Sequence, residues 1–371
     1  MRTLEDIRPR PGLSVPVVTI VDESGELVEA DQRALVRHVV QDGRGADVVF
    51  SAGTTGEWDR LANPVRQHVI QVCAEEVSKL NASLSAEGER GVEAWAGITT
   101  PSRHETLENL AFAVACGSHA AVLAPLSIKD VDDPVRFVRR DVADLLDASP
   151  RRIPVYLYDN ADIAIDPAVP HIRTRQVKEM SRLDFVRGIK VSAPRKVLGN
   201  YTKAARNFRD RGEFGIYVGN AMLIFEIFRP RDGMLGRVME RWIRYRLRDE
   251  LPVGVVAGPG NVLPREWACA WQACRAGDVE RMDVLFSVLE QFRQGTRQAS
   301  GRRTIACLKR ALVTLGVTRS DAVVPGTPAL TRPDAERFDA VFEAVRATAR
   351  ERLHPAWVTP ATADEHAPPG R

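Results

Sequence analysis

The sequence predicts a (β/α)8 TIM barrel with a C-terminal helical appendage, and three observations carry that prediction. Strand-like apolar runs end near Ile20, Thr54, Thr99, Pro125, Tyr158, Lys190, Gly219 and Ala257, which makes eight. Successive ends lie 26 to 45 residues apart, the room that one strand, one helix and two loops require. Amphipathic segments of helical length fill most of the gaps, and an open doubly wound sheet seldom sustains eight repeats this regular. The expected organisation is a catalytic barrel over 1–262, the last barrel helix and C-terminal helices over 263–353, and a disordered tail over 354–371.

Taken in order, the second run, Val48 to Ala52, leads into Gly53-Thr54-Thr55-Gly56-Glu57. Glycines there free the backbone, and two hydroxyls sit side by side. The longest gap contains Asn81 to Gly91, a polar stretch that reads as a surface loop insertion. The fifth run, Pro154 to Tyr158, ends in a phenol, and the sixth, Val186 to Lys190, ends in a lysine. Between the seventh and eighth runs, Arg237, Arg241, Arg244 and Arg248 recur at helical spacing within Arg229 to Leu251, which reads as a solvated arginine face on an extra helix, with a clamp for an anionic substrate or a partner as the alternative. Helical periodicity then covers Pro264 to Ala276, Asp278 to Gln294, Arg303 to Leu315 and Asp334 to Leu353. In the last of these, Phe338, Val341, Phe342 and Val345 share one face. The tail beyond carries four prolines and too little apolar content to fold.

Composition narrows the function classes. With 371 residues, 44% of them hydrophobic, the chain has ample material for a core. A formal charge of +3 against 52 basic and 49 acidic side chains gives no electrostatic argument for a nucleic-acid or membrane partner. No run of 18 apolar residues occurs and the N-terminus lacks a signal-peptide pattern, so the cytoplasm is the expected compartment. Cys73, Cys116, Cys269, Cys274 and Cys307 show no ligand spacing and are expected to be reduced packing residues. The histidines are scattered, and neither a metal nor another cofactor is expected.

Lys190 carries the chemical argument. Burial of an ammonium favours the neutral amine, the form that attacks a ketone to give a Schiff base. In a barrel of this kind catalytic groups gather at the C-terminal ends of the strands, so Thr54, Thr55, Tyr158 and Lys190 are expected on one rim. Tyr158 and Lys190 then sit on adjacent strands, about 5 Å apart in the hydrogen-bonding direction. The Thr54–Thr55 turn, with its N–H groups and hydroxyls, suits a carboxylate. Tyr156 and Trp58 are assigned to packing.

Gly53-Thr54-Thr55-Gly56-Glu57, the fifth-strand tyrosine, Gly188-Ile189-Lys190 and the C-terminal helices together resemble the dihydrodipicolinate synthase / N-acetylneuraminate lyase superfamily of class I aldolases, from about Leu13 to about Arg352. The resemblance implies that Lys190 forms an imine with a 2-oxo acid, that Tyr158 relays protons, and that Thr54 and Thr55, with Gly53, hold the substrate carboxylate. It places the backbone of Gly219 along that pocket and gives Glu57 a structural role under the turn. It also suggests a homotetramer.

Two positions depart from the family pattern. Where many members have a relay tyrosine after the fourth strand, this chain has Pro125-Leu126-Ser127. Where the synthases carry an arginine after the fifth-strand tyrosine, it has Asp159-Asn160-Ala161-Asp162-Ile163, with both aspartates expected to face an incoming second anion. In this it looks more like the hydroxybenzylidenepyruvate hydratase-aldolases. The expected function is a lyase that makes or breaks a carbon-carbon bond beside a pyruvate-type 2-oxo acid, with an aldehyde as second partner, and not the lysine-biosynthesis synthase. The alternatives are a dehydratase or hydrolase of a deoxy sugar acid or amino 2-oxo acid through the same imine, and a catalytically silent barrel that binds a 2-oxo acid.

Overall fold

Eight short runs of β-branched and small apolar residues form a closed parallel barrel with strand order β1 to β8. The computed structural model describes residues 7–205, 213–229, 252–301 and 303–353. The strands are β1 (Gly12–Pro16), β2 (Val48–Ser51), β3 (Glu93–Gly97), β4 (Ala120–Leu123), β5 (Val155–Asn160), β6 (Val186–Ser192), β7 (Gly215–Val218) and β8 (Gly254–Val256). The ring closes through Gly12 opposite Gly254 and Ser14 opposite Val256.

Strand ends differ from the sequence reading in both directions. β1 stops at Pro16 and not near Ile20, because side chains take the next backbone donors: Val18 N–H donates to Asn261 Oδ1 at 3.1 Å and Ile20 N–H to Gln32 Oε1 at 2.9 Å. β5 and β6 run two residues past Tyr158 and Lys190, to Asn160 and Ser192.

Inside the barrel, large side chains are matched to glycines. Trp95 stacks on Tyr156 with ring centroids 4.1 Å apart, and Tyr217 meets Trp95 edge-on at 5.1 Å. Those rings fit because neighbouring strands carry no side chain there. A Cβ on Gly188 would stand 2.8 Å from the Tyr156 ring, and one on Gly254 would stand 2.6 Å from the ring of Tyr217. The glycine of Gly188-Ile189-Lys190 therefore makes room for an aromatic ring in the layer beneath the lysine.

The outer helices are α1 (Glu29–Val40), α2 (Asn63–Ala86), α3 (Arg103–Ala115), α4 (Pro134–Phe137), α5 (Ala143–Ala148), α6 (Thr174–Met180), α7 (Arg195–Ala204) and α8 (Leu223–Ile227). A π-turn over Val138–Val142 joins α4 to α5. α1 buries Leu35, Val36, Val39 and Val40 on one stripe, the 3.6-residue pattern of a helix lying on a sheet. The expected loop insertion at Asn81–Gly91 is mostly helix: α2 continues to Ala86, since Leu84 is buried there, and Asn81 ties the following turn by hydrogen bonds to both N and O of Val92.

C-terminal to β8 come α9 (Pro264–Ala276), α10 (Val279–Ser300), α11 (Thr304–Thr314) and α12 (Arg332–Arg352), within a few residues of the ranges that periodicity predicts. Phe338, Phe342 and Val345 of α12 are fully buried, and Phe338 and Phe342 pack on Phe292 of α10. All five cysteines are free. Arg229 pairs with Asp283, whereas the rest of the arginine-rich segment and the tail beyond Leu353 lie outside the described residues. No described helix is long and apolar enough to cross a membrane.

Candidate active site

β2 ends in a strained turn. Ala52 and Glu57 both have positive φ, 52° and 62°, conformations that cost a non-glycine residue about 1–2 kcal/mol each. Between them, Gly53 leads into a single 3-10 turn, Thr54–Gly56, whose first N–H groups lack acceptors within the turn. Gly97 of β3 is needed beside this turn, because a Cβ there would collide with the Ala52 carbonyl. Thr19 fastens the turn from the other side, its hydroxyl donating to Gly56 O at 2.9 Å.

β5 and β6 pair so that Tyr158 lies directly opposite Lys190. Both side chains point inward and are buried, at 6% and 4% exposure. Lys190 Nζ sits 3.8 Å from the centroid of the Tyr158 ring and 5.0 Å from that of Phe50, so two aromatic faces replace part of the ammonium's hydration. The Tyr158 hydroxyl is within hydrogen-bond reach of three side chains: Thr54 Oγ1 at 3.2 Å, Asn160 Nδ2 at 3.1 Å and Ser192 Oγ at 3.3 Å. Burial by itself would raise this phenol. The Lys190 charge and the bonds from Ser192 and Thr54 outweigh burial and hold it below the ordinary tyrosine value.

A narrow cleft of about 20 Å³ borders Thr54 and Tyr158. Thr54 and Tyr158 supply its polar edge; Trp58, Val122, Ala124 and Ile163 give it apolar walls. No arginine, lysine, aspartate or glutamate lines it among the described residues.

Comparison with known proteins agrees with this fold. Residues 10–84, from before β1 nearly to the end of α2, match the model of the dihydrodipicolinate synthetase family. Over that segment the chain is similar to this family. Its fold is similar to the dihydrodipicolinate synthase of Bacteroides thetaiotaomicron, with 19% identity and a TM-score of 0.71 over 91% of this chain and 99% of that one. It is similar to a prophage protein of the dihydrodipicolinic acid synthase family from E. coli K12, solved in complex with pyruvate, with 19% identity and a TM-score of 0.71 over 91% and 98% of the two chains. KD(P)GA from T. tenax is similar at 20% identity and a TM-score of 0.65, over 91% and 99%. No curated protein sequence matches the chain.

The structure brings Thr54, Tyr158 and Lys190 together and sets the other singled-out residues around them. Thr55 leans toward the loop after β8, where a Cβ on Gly258 would stand 3.4 Å from its hydroxyl. Gly53 borders the cleft and leaves space for the Phe50 ring, 2.8 Å from where its Cβ would be. Gly219 lies behind Ser192: any Cβ there would collide with Ser192 Oγ, so this glycine lets Ser192 reach the Tyr158 hydroxyl. Tyr156 is core, as assigned, but Trp58 forms a cleft wall as well as packing.

Asp159 corrects the sequence reading. Strand alternation turns it away from the barrel interior, where Oδ2 pairs with His171 Nδ1 at 2.8 Å and Oδ1 accepts from Ile172 N at 2.8 Å. Of the two aspartates expected at the mouth, only Asp162 stays exposed on the loop. Leu126 and Ser127 form part of a 3-10 turn, with Leu126 O accepting from Ile165 N at 2.9 Å.

Sequence reasoning missed Asn160 and Ser192. Each lies two residues beyond a residue that it did single out, on the same inward face, so the period of two contained the signal.

Proposed function

We propose that the chain is a Schiff-base-forming lyase of aldolase type, acting on pyruvate or a related 2-oxo acid through Lys190. The observation that carries this reading is the Lys190 amine, buried against Tyr158 and Phe50, which themselves line a cleft edged by Thr54. In the neutral form Nζ adds to the keto carbon, and the carbinolamine then loses water to leave a protonated imine. Loss of a proton from the adjacent carbon gives an enamine that attacks an aldehyde; read backwards, the same step expels the aldehyde while nitrogen holds the electrons. Hydrolysis of the imine returns the free amine.

Tyr158 would carry the protons of these steps, since its hydroxyl stands at the centre of the Thr54, Asn160 and Ser192 cluster and its lowered pKa brings proton release nearer neutrality. The open N–H groups of the Thr54–Thr55 turn would hold the 2-oxo acid carboxylate. The pyruvate complex of the similar E. coli K12 protein supports this choice of ligand class.

The apolar walls favour a neutral carbonyl partner. Among the described residues no arginine or lysine lines the cleft to hold a second carboxylate, so this reading disfavours condensation with aspartate semialdehyde. Small molecules are the proposed partners, and a homo-oligomer the proposed assembly. Borohydride reduction in the presence of pyruvate should add a reduced pyruvyl group to the wild-type chain and nothing to Lys190→Ala, as read by intact mass; trapping at another lysine would overturn the mechanism. Efficient turnover of the semialdehyde, assayed beside neutral aldehydes, would overturn the choice of partner.

A further inference from the structure

The Thr54–Thr55 turn is held from a part of the chain far from the barrel strands. Glu57 ends the turn and is fully buried. One of its carboxylate oxygens, Oε2, lies 2.6 Å from Nζ of Lys309 on α11, which is equally buried. The other, Oε1, accepts from Val324 N at 2.8 Å, and Lys309 Nζ donates to Ala322 O at 2.9 Å.

The loop 316–330, between α11 and α12, thereby crosses the rim of the barrel. Its outer end is tied to the first βα connection: Ser320 Oγ donates to Val21 O at 2.9 Å, and Arg319 holds Asp31 through its backbone N at 2.7 Å and its Nε at 3.0 Å. Further along, Gly326 O accepts from Arg60 Nε at 3.1 Å.

A buried ion pair adds little to stability compared with apolar groups of the same volume, but it fixes direction. Here both oxygens of Glu57 are committed, one to a cation and one to a backbone N–H. The turn follows Glu57 rigidly, because Glu57 N donates to Thr54 O at 3.2 Å and Gly56 N to Gly53 O at 2.9 Å.

We propose that the Lys309–Glu57 pair and the 316–330 strap set the position of the Thr54–Thr55 turn, which makes Lys309 a positioning residue for the substrate carboxylate. The inference rests on the catalytic reading above, in which that turn binds the 2-oxo acid. Lys309 touches no substrate. It acts through Glu57, so its loss should weaken capture of the acid more than it slows the chemistry at Lys190.

Borohydride trapping at Lys190, titrated with pyruvate, measures this. In Glu57→Gln/Lys309→Met, which leaves no buried ion unpaired, the pyruvate concentration for half-maximal trapping should rise about tenfold or more, with trapping at saturation changed less than about threefold. Half-saturation at the wild-type concentration in the folded double variant overturns the proposal. Arg319→Ala/Ser320→Ala loosens only the outer end of the strap and should raise half-saturation about threefold. If the first variant does not fold, an unchanged value in the second overturns the proposal as well. Failure of the wild type to trap any 2-oxo acid is a separate result, which removes the catalytic reading itself.

Discussion

Tyr156 and Tyr158 lie two residues apart on β5, both inside the barrel, yet their phenols move in opposite directions. Burial raises Tyr156 far above the ordinary value, with the Glu93 charge pushing the same way. Tyr158 is as deeply enclosed but ends below that value, because Lys190 and the hydroxyls of Ser192 and Thr54 stand beside it. The lower layer of the barrel is an aromatic plug of Trp95, Tyr156 and Tyr217, shaped by the glycines of β6 and β8. The upper layer replaces that stacking with one cation, one phenol and three hydrogen-bonding side chains. Enclosure alone makes a phenol inert; enclosure beside a cation makes it an acid.

Removing the cation should break the contrast most completely. In Lys190→Ala imine trapping should vanish, and burial, no longer opposed, should carry Tyr158 above the ordinary value of about 10. The linkage sign then reverses. In the wild type the folded phenol binds fewer protons than the unfolded one just below pH 10, so its contribution to stability grows as pH rises and is lost as pH falls through its folded pKa. In the variant that contribution should fall with rising pH. Ultraviolet titration of tyrosinate and melting temperature against pH measure both effects, and a Tyr158 titration unmoved by loss of Lys190 would refute the electrostatic account.

The two tyrosines should also separate under mutation. Tyr158→Phe should lower turnover by about 10² to 10⁴ with the melting temperature nearly unchanged, the scale of a lost acid-base group. Tyr156→Ala should do the reverse, costing about 3–5 kcal/mol of stability through the cavity it leaves, with Lys190 still trapped by pyruvate in whatever protein remains folded. A loss of turnover in Tyr156→Ala as large as that in Tyr158→Phe would show that the layers are not independent. The smallest effect should come from Gly188→Ala. Its new methyl would stand 2.4 Å from the Gly215 carbonyl oxygen and 2.8 Å from the Tyr156 ring, an overpacking strain of about 1–3 kcal/mol, and denaturant unfolding should register it before any activity assay does.

Much of this contrast was readable in the sequence. Strand spacing placed all eight strands, and the apolar runs ending in Tyr158 and Lys190 set those residues on adjacent strands, where the register pairs them directly. The C-terminal helices were readable because their apolar faces repeat every three to four residues; α9 has the bounds that periodicity gives. Asn160 and Ser192 escape because the apolar runs end at Tyr158 and Lys190, although strand hydrogen bonding continues for two more residues. Proximity to Tyr158 in the chain points Asp159 to the mouth, whereas alternation puts it on the other face with His171. The α2 extension was hidden by polar residues, since a helix needs only one buried leucine per turn to stay on the sheet. Lys309 had no signal at all: an ion pair between distant segments leaves no periodicity in either one.

The span of that last contact governs when the rim is completed. Glu57 and Val324 are 267 residues apart in the chain, so every strand of the barrel leaves the ribosome before the strap does. Contacts of such separation form late, after the local βα units have already collapsed. A nascent chain that ends before Lys309 holds Lys190 and Tyr158 but leaves the Glu57 carboxylate without its cation. The order of synthesis thus leaves the Thr54–Thr55 turn without its brace until the last helices arrive, and arrested nascent chains of graded length should gain protease resistance around Glu57 only once Val324 has emerged.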